Sequence, residues 1–183
     1  MKRFFSAFLG VMFLTVCMTV SGFGRPAGKD MAIGYDGIVN GISFKKFVSK
    51  DLGFQGILGF GYESAPSNSV SPNNETSLDY SLAARVIMPK DITEKIKLNC
   101  FGGIALNHTG SHTKDVGQTN LYIESGLSPE IFLFNNLSVE TSLGIRLGFI
   151  GETADGVDNG YTSLRTFGAG VSIVDGVSFH YYF

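Results

Sequence analysis

Apolar and polar residues alternate with a period of two in several segments of this chain, which predicts β-strands with two different faces. In residues 137–149 the odd positions are mostly Leu, Val, Ile and Phe, and the even positions are Ser, Glu, Gly and Arg. The same alternation occurs in residues 77–88, 96–107 and 120–131. Each segment is long enough to cross a bilayer as a tilted strand of roughly 9–11 residues.

The connections between these segments are of two kinds. Short ones at residues 48–53, 89–95 and 134–136 alternate with long polar ones at residues 64–76, 108–117 and 152–163. In bacterial outer-membrane barrels, short turns face the periplasm and long loops face outside. If the last strand ends in the periplasm, residues 137–149 and 54–62 ascend and residues 41–47 descend. A start in the periplasm then requires one more ascending strand, which we place at residues 31–37.

The count is then eight strands, an even number, as bacterial single-chain barrels require. The predicted fold is all-β, an eight-stranded antiparallel up-and-down transmembrane β-barrel. An alternative places a two-residue hairpin turn at Asp175-Gly176 and would send the long loops to the periplasm. A soluble lipocalin-like barrel would need its polar face outside, crowded with Lys and Glu. Here that face is rich in Gly, Ser, Ala and Asn, which favours a membrane barrel.

The first residues have the pattern of a secretory signal peptide. Lys2 and Arg3 precede an apolar run at residues 4–20 and a small-residue region at 21–24. We therefore predict a signal peptide at residues 1–24 and a barrel domain at residues 25–183, with cleavage after Gly24 or, alternatively, after Gly22. Lipidation of Cys17 is the weaker reading, because the preceding Val stands where a lipobox has a small residue.

Composition excludes several other classes of protein. Once the signal is removed, Cys100 is the one remaining cysteine, so neither an internal disulfide nor a cysteine-based metal site is expected. The net charge of -2, with no basic block, predicts no nucleic-acid partner. The 24 glycines and 16 phenylalanines suit a curved sheet with an aromatic outer surface rather than a helical protein.

Two stretches resemble known outer-membrane proteins. Phe179, Tyr181 and Phe183 alternate with polar residues as in the closing strand of bacterial barrels, where such aromatics form a signal for the outer-membrane insertion machinery. Residues 40–47, Asn-Gly-Ile-Ser-Phe-Lys-Lys-Phe, and 52–60 resemble the opening of small proteins of the OmpA-like β-barrel family. The resemblance covers nearly the whole mature chain and implies architecture rather than activity, since the family includes anchors, adhesins, minor pores and a few lipid-modifying enzymes.

The alternation also predicts which charges face the lumen. They are Asp79, Arg85, Lys97, Glu124, Glu130, Glu140 and Arg146. An eight-stranded barrel has an interior just wide enough for side chains, and an unpaired buried charge is costly, so we predict a salt-bridged plug. A low-conductance pore or a proton-linked site is the alternative, because Arg85 and Arg146 lie on strands near Glu124 and Glu140. His180 is expected to be a polar filler of the lumen.

A second set of candidate residues, His108, Ser111 and His112, lies in the long connection at residues 108–117. Some eight-stranded barrels are lipid A deacylases with a His and a Ser near the outer rim, but their His-x-Ser spacing does not occur here. We therefore predict no catalytic residue, no cofactor and no metal.

The function expected from the sequence is that of a monomeric bacterial outer-membrane protein with a structural or surface-interaction role. It would contact membrane lipids, the insertion machinery and an unknown surface ligand through the loops at residues 64–76, 108–117 and 152–163. A narrow pore is the alternative, and a lipid A-modifying enzyme comes third.

Overall fold

The computed structural model describes residues 28–65, 75–111, 116–154, 157–167 and 176–183. They form ten β-segments: β1 (Met31–Asp36), β2 (Gly41–Phe47), β3 (Gly53–Ala65), β4 (Glu75–Asp91), β5 (Ile96–Ser111), β6 (Val116–Phe132), β7 (Leu137–Thr141), β8 (Leu143–Ala154), β9 (Val157–Phe167) and β10 (Val177–Tyr182). The described part of the chain contains no helix that is long and apolar enough to span a bilayer. The signal peptide predicted at residues 1–24 lies outside the described residues and stays a prediction.

The ten segments form the eight strands of one closed barrel. β7 and β8 are one barrel strand that is interrupted at Ser142, whose backbone N–H donates to the Gly176 carbonyl at 3.0 Å. Both segments pair with β6. β9 pairs with β8 and β10 pairs with β7, so β9 and β10 together form the last barrel strand. β1 closes the ring by pairing with β2 on one side and β10 on the other. All pairings are antiparallel, which confirms the predicted eight-stranded antiparallel barrel.

The closing seam brings two backbones unusually near each other. Gly34 of β1 lies opposite His180 of β10, and a Cβ atom at position 34 would collide with the carbonyl oxygen of Phe179. Glycine removes that clash because it has no side chain. This position therefore helps β1 and β10 to pair.

The short turns lie where the sequence predicts them, but the long connections are shorter than predicted. β3 extends to Ala65, β5 to Ser111 and β8 to Ala154, and the strands that follow begin at Glu75, Val116 and Val157. The two ends of the predicted loop at residues 64–76 and most of the predicted loops at residues 108–117 and 152–163 are therefore strand, while residues 66–74, 112–115 and 155–156 lie outside the described residues. Polar residues on both faces carry no alternation signal, yet ladder pairing still satisfies their backbone groups. Asp175, part of the alternative hairpin, lies outside the described residues.

The side chains that point into the barrel form three layers. An apolar cluster near the short turns consists of Ala32, Phe47, Ile87, Phe101, Phe132 and Tyr182. A second apolar cluster, toward the other end, consists of Val39, Ile57, Ala83, Ala105, Tyr122 and Ile150. Charged residues lie between the two clusters along the strands; Arg85, for example, lies between Ala83 and Ile87.

The outer surface of the barrel is apolar. Exposed large apolar side chains occur on β1 to β6 and on β8 to β10, among them Phe44, Leu82 and Ile104. Among the described strand side chains, the charged residues that point outward are Lys46 and Lys90, and each lies two residues from a short turn. The barrel thus has its polar groups inside and its apolar groups outside, the reverse of a soluble barrel.

Candidate functional site: a paired-charge network in the lumen

Arg85 is the centre of the first group of charges. Its Nη1 donates to Asp36 Oδ2 at 2.7 Å and its Nε donates to Glu124 Oε1 at 2.5 Å. The other Glu124 oxygen accepts from Arg146 Nε at 2.9 Å. The Arg85 guanidinium also lies 4.9 Å from the centre of the Phe101 ring. Glu124 is therefore shared by two arginines and Arg85 is shared by two carboxylates, with Arg85, Asp36 and Glu124 buried.

Lys45 is the centre of the second group. Its ammonium is fully buried, donates to Glu140 Oε2 and lies 3.8 Å from Glu130 Oε1. Glu130 accepts three hydrogen bonds, from Ser138 and Tyr182 at 2.6 Å and from Asn99 at 2.9 Å. Neutral donors and one ammonium together compensate this buried carboxylate, which is what a buried charge requires.

His180 connects the two groups. Its Nε2 is hydrogen-bonded to Ser43 Oγ at 3.0 Å, and its Nδ1 lies 3.3 Å from Glu140 Oε2. Ser43 Oγ in turn accepts from Gln55 Nε2 at 2.8 Å, and Gln55 reaches Asp36 at 3.5 Å. One polar network therefore runs from Arg146 to Glu130 and, with Asn99 of β5, includes residues from all eight strands of the barrel.

Strand register explains why neighbouring charges meet. Glu124 lies directly opposite Arg146, and Glu130 lies between Lys97 and Glu140 on adjacent strands. Residues that face each other across antiparallel strands have Cβ atoms about 4.5–5.5 Å apart, within reach for an ion pair. The carboxylates of Glu130 and Glu140 would repel each other here, and Lys45 lies beside both.

The structure brings together most of the charges predicted for the lumen. Arg85, Glu124 and Arg146 belong to the first group, and Glu130 and Glu140 belong to the second. Glu140 accepts from Lys45 and, at 3.4 Å, from Asn99 Nδ2, and it lies 3.3 Å from His180 Nδ1. Which residues meet across a lumen depends on the stagger of the strands, which periodicity does not contain.

The two remaining predicted charges lie apart from the network's centre. Lys97 is buried, with its Nζ 5.0 Å from the centre of the Phe132 ring. Asp79 is half-buried on the inner face of β4, and its Oδ1 is buried without a hydrogen-bond partner in the described structure.

Sequence reasoning missed Asp36, Lys45, Gln55 and the hydroxyl of Tyr182. Alternation within residues 41–47 places Ser43 and Lys45 on the same face and could have identified the lysine. Asp36 gives no such signal because it is the last residue of a six-residue strand, where its other oxygen accepts from the N–H groups of Ile38 and Val39.

One part of the network has the residue types of a metal site. The ligand atoms of Glu130, Glu140 and His180 lie within 4.8 Å of one another. Carboxylate and imidazole groups can bind a divalent cation. Here, however, the ammonium of Lys45 is placed between the two carboxylates and supplies the positive charge, so the arrangement functions as an ion pair.

His108 is in a strand and not in a loop. It lies in β5, its Nδ1 is 2.9 Å from Thr119 Oγ1, and its ring stacks on Tyr80 with centroids 4.8 Å apart. Because His108 pairs with the outward-facing Tyr80, it faces outward too. His112 lies outside the described residues. The predicted loop placement of His108 is wrong, because strand pairing continues beyond the apolar belt, the band of exposed apolar side chains around the barrel.

Comparison with known proteins adds no relatives to this picture. No protein-family model matches the chain, and no curated protein or solved structure matches it at a significant level. The interpretation of the barrel therefore depends on its own geometry and chemistry.

Proposed function

We propose that this protein is an integral bacterial outer-membrane β-barrel with a structural or surface-interaction role and no catalytic activity. One observation carries the proposal: apolar side chains cover the outside of the barrel while ion pairs fill the inside. Lipid would stabilise such an outer surface, which in water would be a very large exposed apolar patch. The absence of outward charges in the described strands, except near the short turns, supports the same conclusion.

The lumen supports a closed barrel better than a pore. The charged network has partners within the barrel, and an apolar cluster lies on each side of it. An eight-stranded barrel has no room for a water channel beside such side chains. Membership of the OmpA-like family is part of the proposal and is supported by the resemblance of residues 40–47 and 52–60 and by the barrel architecture.

Membrane insertion can be tested by substitution on the outer surface. Ile104→Arg places a charge in the middle of the apolar belt, on β5, and the expected cost is about 2–4 kcal/mol. Ile92→Arg, in the short turn after β4, is the control and should cost about 0–1 kcal/mol. Folding into phospholipid vesicles is followed by heat-modifiable gel migration. Equal effects of the two changes would contradict a membrane-embedded belt.

Localisation and conductance complete the test. The full chain expressed in Gram-negative cells should fractionate with the outer membrane, and the purified barrel should give no reproducible single-channel steps in planar bilayers. Recovery of a folded, detergent-free protein from the soluble fraction would refute the membrane assignment. Reproducible single-channel steps would refute the proposed closed lumen but not the membrane assignment.

A further inference from the structure

Three oxygen atoms on the inner face of the barrel lack a hydrogen-bond partner in the described part of the chain. They are Asp79 Oδ1 of β4, Asn107 Oδ1 of β5 and Asn120 Oδ1 of β6, and each of them is buried. Buried polar atoms in folded proteins are nearly always hydrogen-bonded, so an unpartnered one requires an explanation, such as a bound water molecule or ion. These three oxygens are therefore candidates for the ligands of an ion.

Strand register brings the three residues together. Asn107 lies directly opposite Asn120 on one side and directly opposite Ser81 on the other. Asp79 comes two residues before Ser81 on β4, so it is a diagonal neighbour of Asn107. Side chains directly opposite each other have Cβ atoms about 4.5–5.5 Å apart, and diagonal neighbours are about 7–8 Å apart. An ion beside Asn107 is therefore within reach of Asp79 and Asn120, directly or through a coordinated water.

The three oxygens lie outside the apolar cluster that separates them from the charged network. Ala83, Ala105 and Tyr122, which belong to the second apolar cluster, follow on the inner face of the same strands in the direction of the short turns. Opposite Asp79, Gly61 leaves the space beside the carboxylate free of a side chain. A Cβ atom at Gly61 would lie 3.4 Å from Asp79 Cβ and 3.5 Å from its Oδ2. The three residues therefore form a group of their own, on the side of the long connections.

The chemistry of the group favours a positive ion over water. One water molecule has two hydrogens and no charge, so it satisfies two of the three acceptors and leaves the charge of Asp79 uncompensated. Arg85 donates to two other carboxylates, and Arg146 donates to one of them. Carboxylate and amide oxygens are typical ligands of Ca²⁺, which accepts six to eight oxygens in a flexible geometry, some of them from water. Mg²⁺ requires near-ideal octahedral geometry, so Ca²⁺ suits side chains from three adjacent strands better.

We propose that Asp79, Asn107 and Asn120 bind a calcium ion on the inner face of β4, β5 and β6. The inference goes beyond the proposed function and depends on the barrel, not on its location in a membrane. Because the group contains one carboxylate, the expected dissociation constant is on the order of 10⁻⁴–10⁻³ M, as in extracellular calcium-binding modules.

Displacement of Tb³⁺ by Ca²⁺ tests the proposal on the full chain, purified in neutral detergent and freed of metal with a chelator. Tb³⁺ occupies calcium sites and emits when a nearby aromatic ring absorbs light, and Tyr122 follows Asn120 on the inner face. Wild type should give emission that Ca²⁺ abolishes. Asp79→Asn removes the charge and keeps the size, so it should weaken Ca²⁺ binding about tenfold. Asp51→Asn makes the same change in the exposed turn between β2 and β3 and should bind like wild type.

Two further variants distinguish a ligand role from a structural one. Asn107→Asp adds a second carboxylate and should bind Ca²⁺ more tightly, because affinity depends on the number of charged ligands. Asn120→Ala removes a neutral ligand and should bind more weakly. Heat-modifiable migration is measured on each variant, so that only folded barrels are compared.

The opposite results are clear. Absence of Tb³⁺ emission in wild type, or equal Ca²⁺ affinity of wild type, Asp79→Asn and Asn107→Asp, would overturn the proposal. More effective displacement by Mg²⁺ than by Ca²⁺ would overturn the assignment of calcium. Because these measurements use the folded barrel in detergent, their failure would leave the proposed membrane location intact.

Discussion

Replacing Lys45 tests whether the buried charges hold the barrel together. Lys45→Met keeps the length of the side chain but leaves the carboxylates of Glu130 and Glu140 without their shared ammonium. Lys45 and Glu130 are 0% exposed and the Glu140 side chain is 6% exposed, so solvent cannot compensate for the loss. Breaking a buried ion pair by removing one partner costs about 3–5 kcal/mol, and we expect a loss of that size in the free energy of unfolding.

The neighbouring residue provides a matched control. Lys46 points outward and binds Asp30 at 2.6 Å, with both side chains about half exposed. An exposed pair of this kind contributes about 0–1 kcal/mol, so Lys46→Met should leave stability almost unchanged. Urea unfolding in lipid vesicles is measured by circular dichroism and gel migration, since the chain contains no tryptophan. Similar effects of the two substitutions would refute the structural role of the buried charges.

A second change in the same background separates pairing from packing. In the Lys45→Met variant two buried carboxylates have lost their ammonium partner. Adding Glu140→Gln removes one of these two uncompensated charges, so part of the lost stability should return. Glu130 would still accept from Ser138 and Tyr182. If Glu140→Gln instead costs stability additively, the loss in Lys45→Met is due to packing and not to an uncompensated charge.

Three further predictions concern other parts of the barrel. Gly34→Ala should lower the yield of heat-modifiable barrel because its Cβ meets backbone of β10, whereas Gly56→Ala, with no atom within 4 Å, should fold normally; equal yields would contradict the tight seam. Cys100 is buried, so its thiol should react with a water-soluble maleimide after unfolding and not before, as mass spectrometry would show. Tyr182→Phe removes a donor to a buried carboxylate and should cost about 1–3 kcal/mol in urea unfolding, while Tyr181→Phe, on the outer face, should cost little.

The sequence was informative where one face of a strand meets a different environment from the other. Arg85 and Glu124, on the polar side of the period-two alternation, are buried in the barrel and Leu82, on the apolar side, is exposed, because the two faces of the wall meet different environments. The same signal disappears beyond the belt, where both faces of a strand are polar, and for that reason His108 was predicted in a loop. Pairing across the lumen could not be predicted from the sequence either. Arg85 and Asp36 are 49 residues apart and meet because of the stagger of the strands in the barrel.

The energies of the ion pairs bear on the choice between a gated pore and a closed barrel. A path through the lumen would have to separate at least three buried contacts: Arg85 from Asp36, Arg85 from Glu124, and Lys45 from Glu140. These contacts belong to one network, and Arg85 takes part in two of them, so their energies are not additive. Leaving one buried charge without its partner costs about 3–5 kcal/mol, a large part of the whole free energy of unfolding of a typical domain, about 5–15 kcal/mol. A rearrangement that separated these charges without hydrating them would therefore be costly, which supports the proposed closed lumen, and interactions with other molecules are then expected at the outer surface.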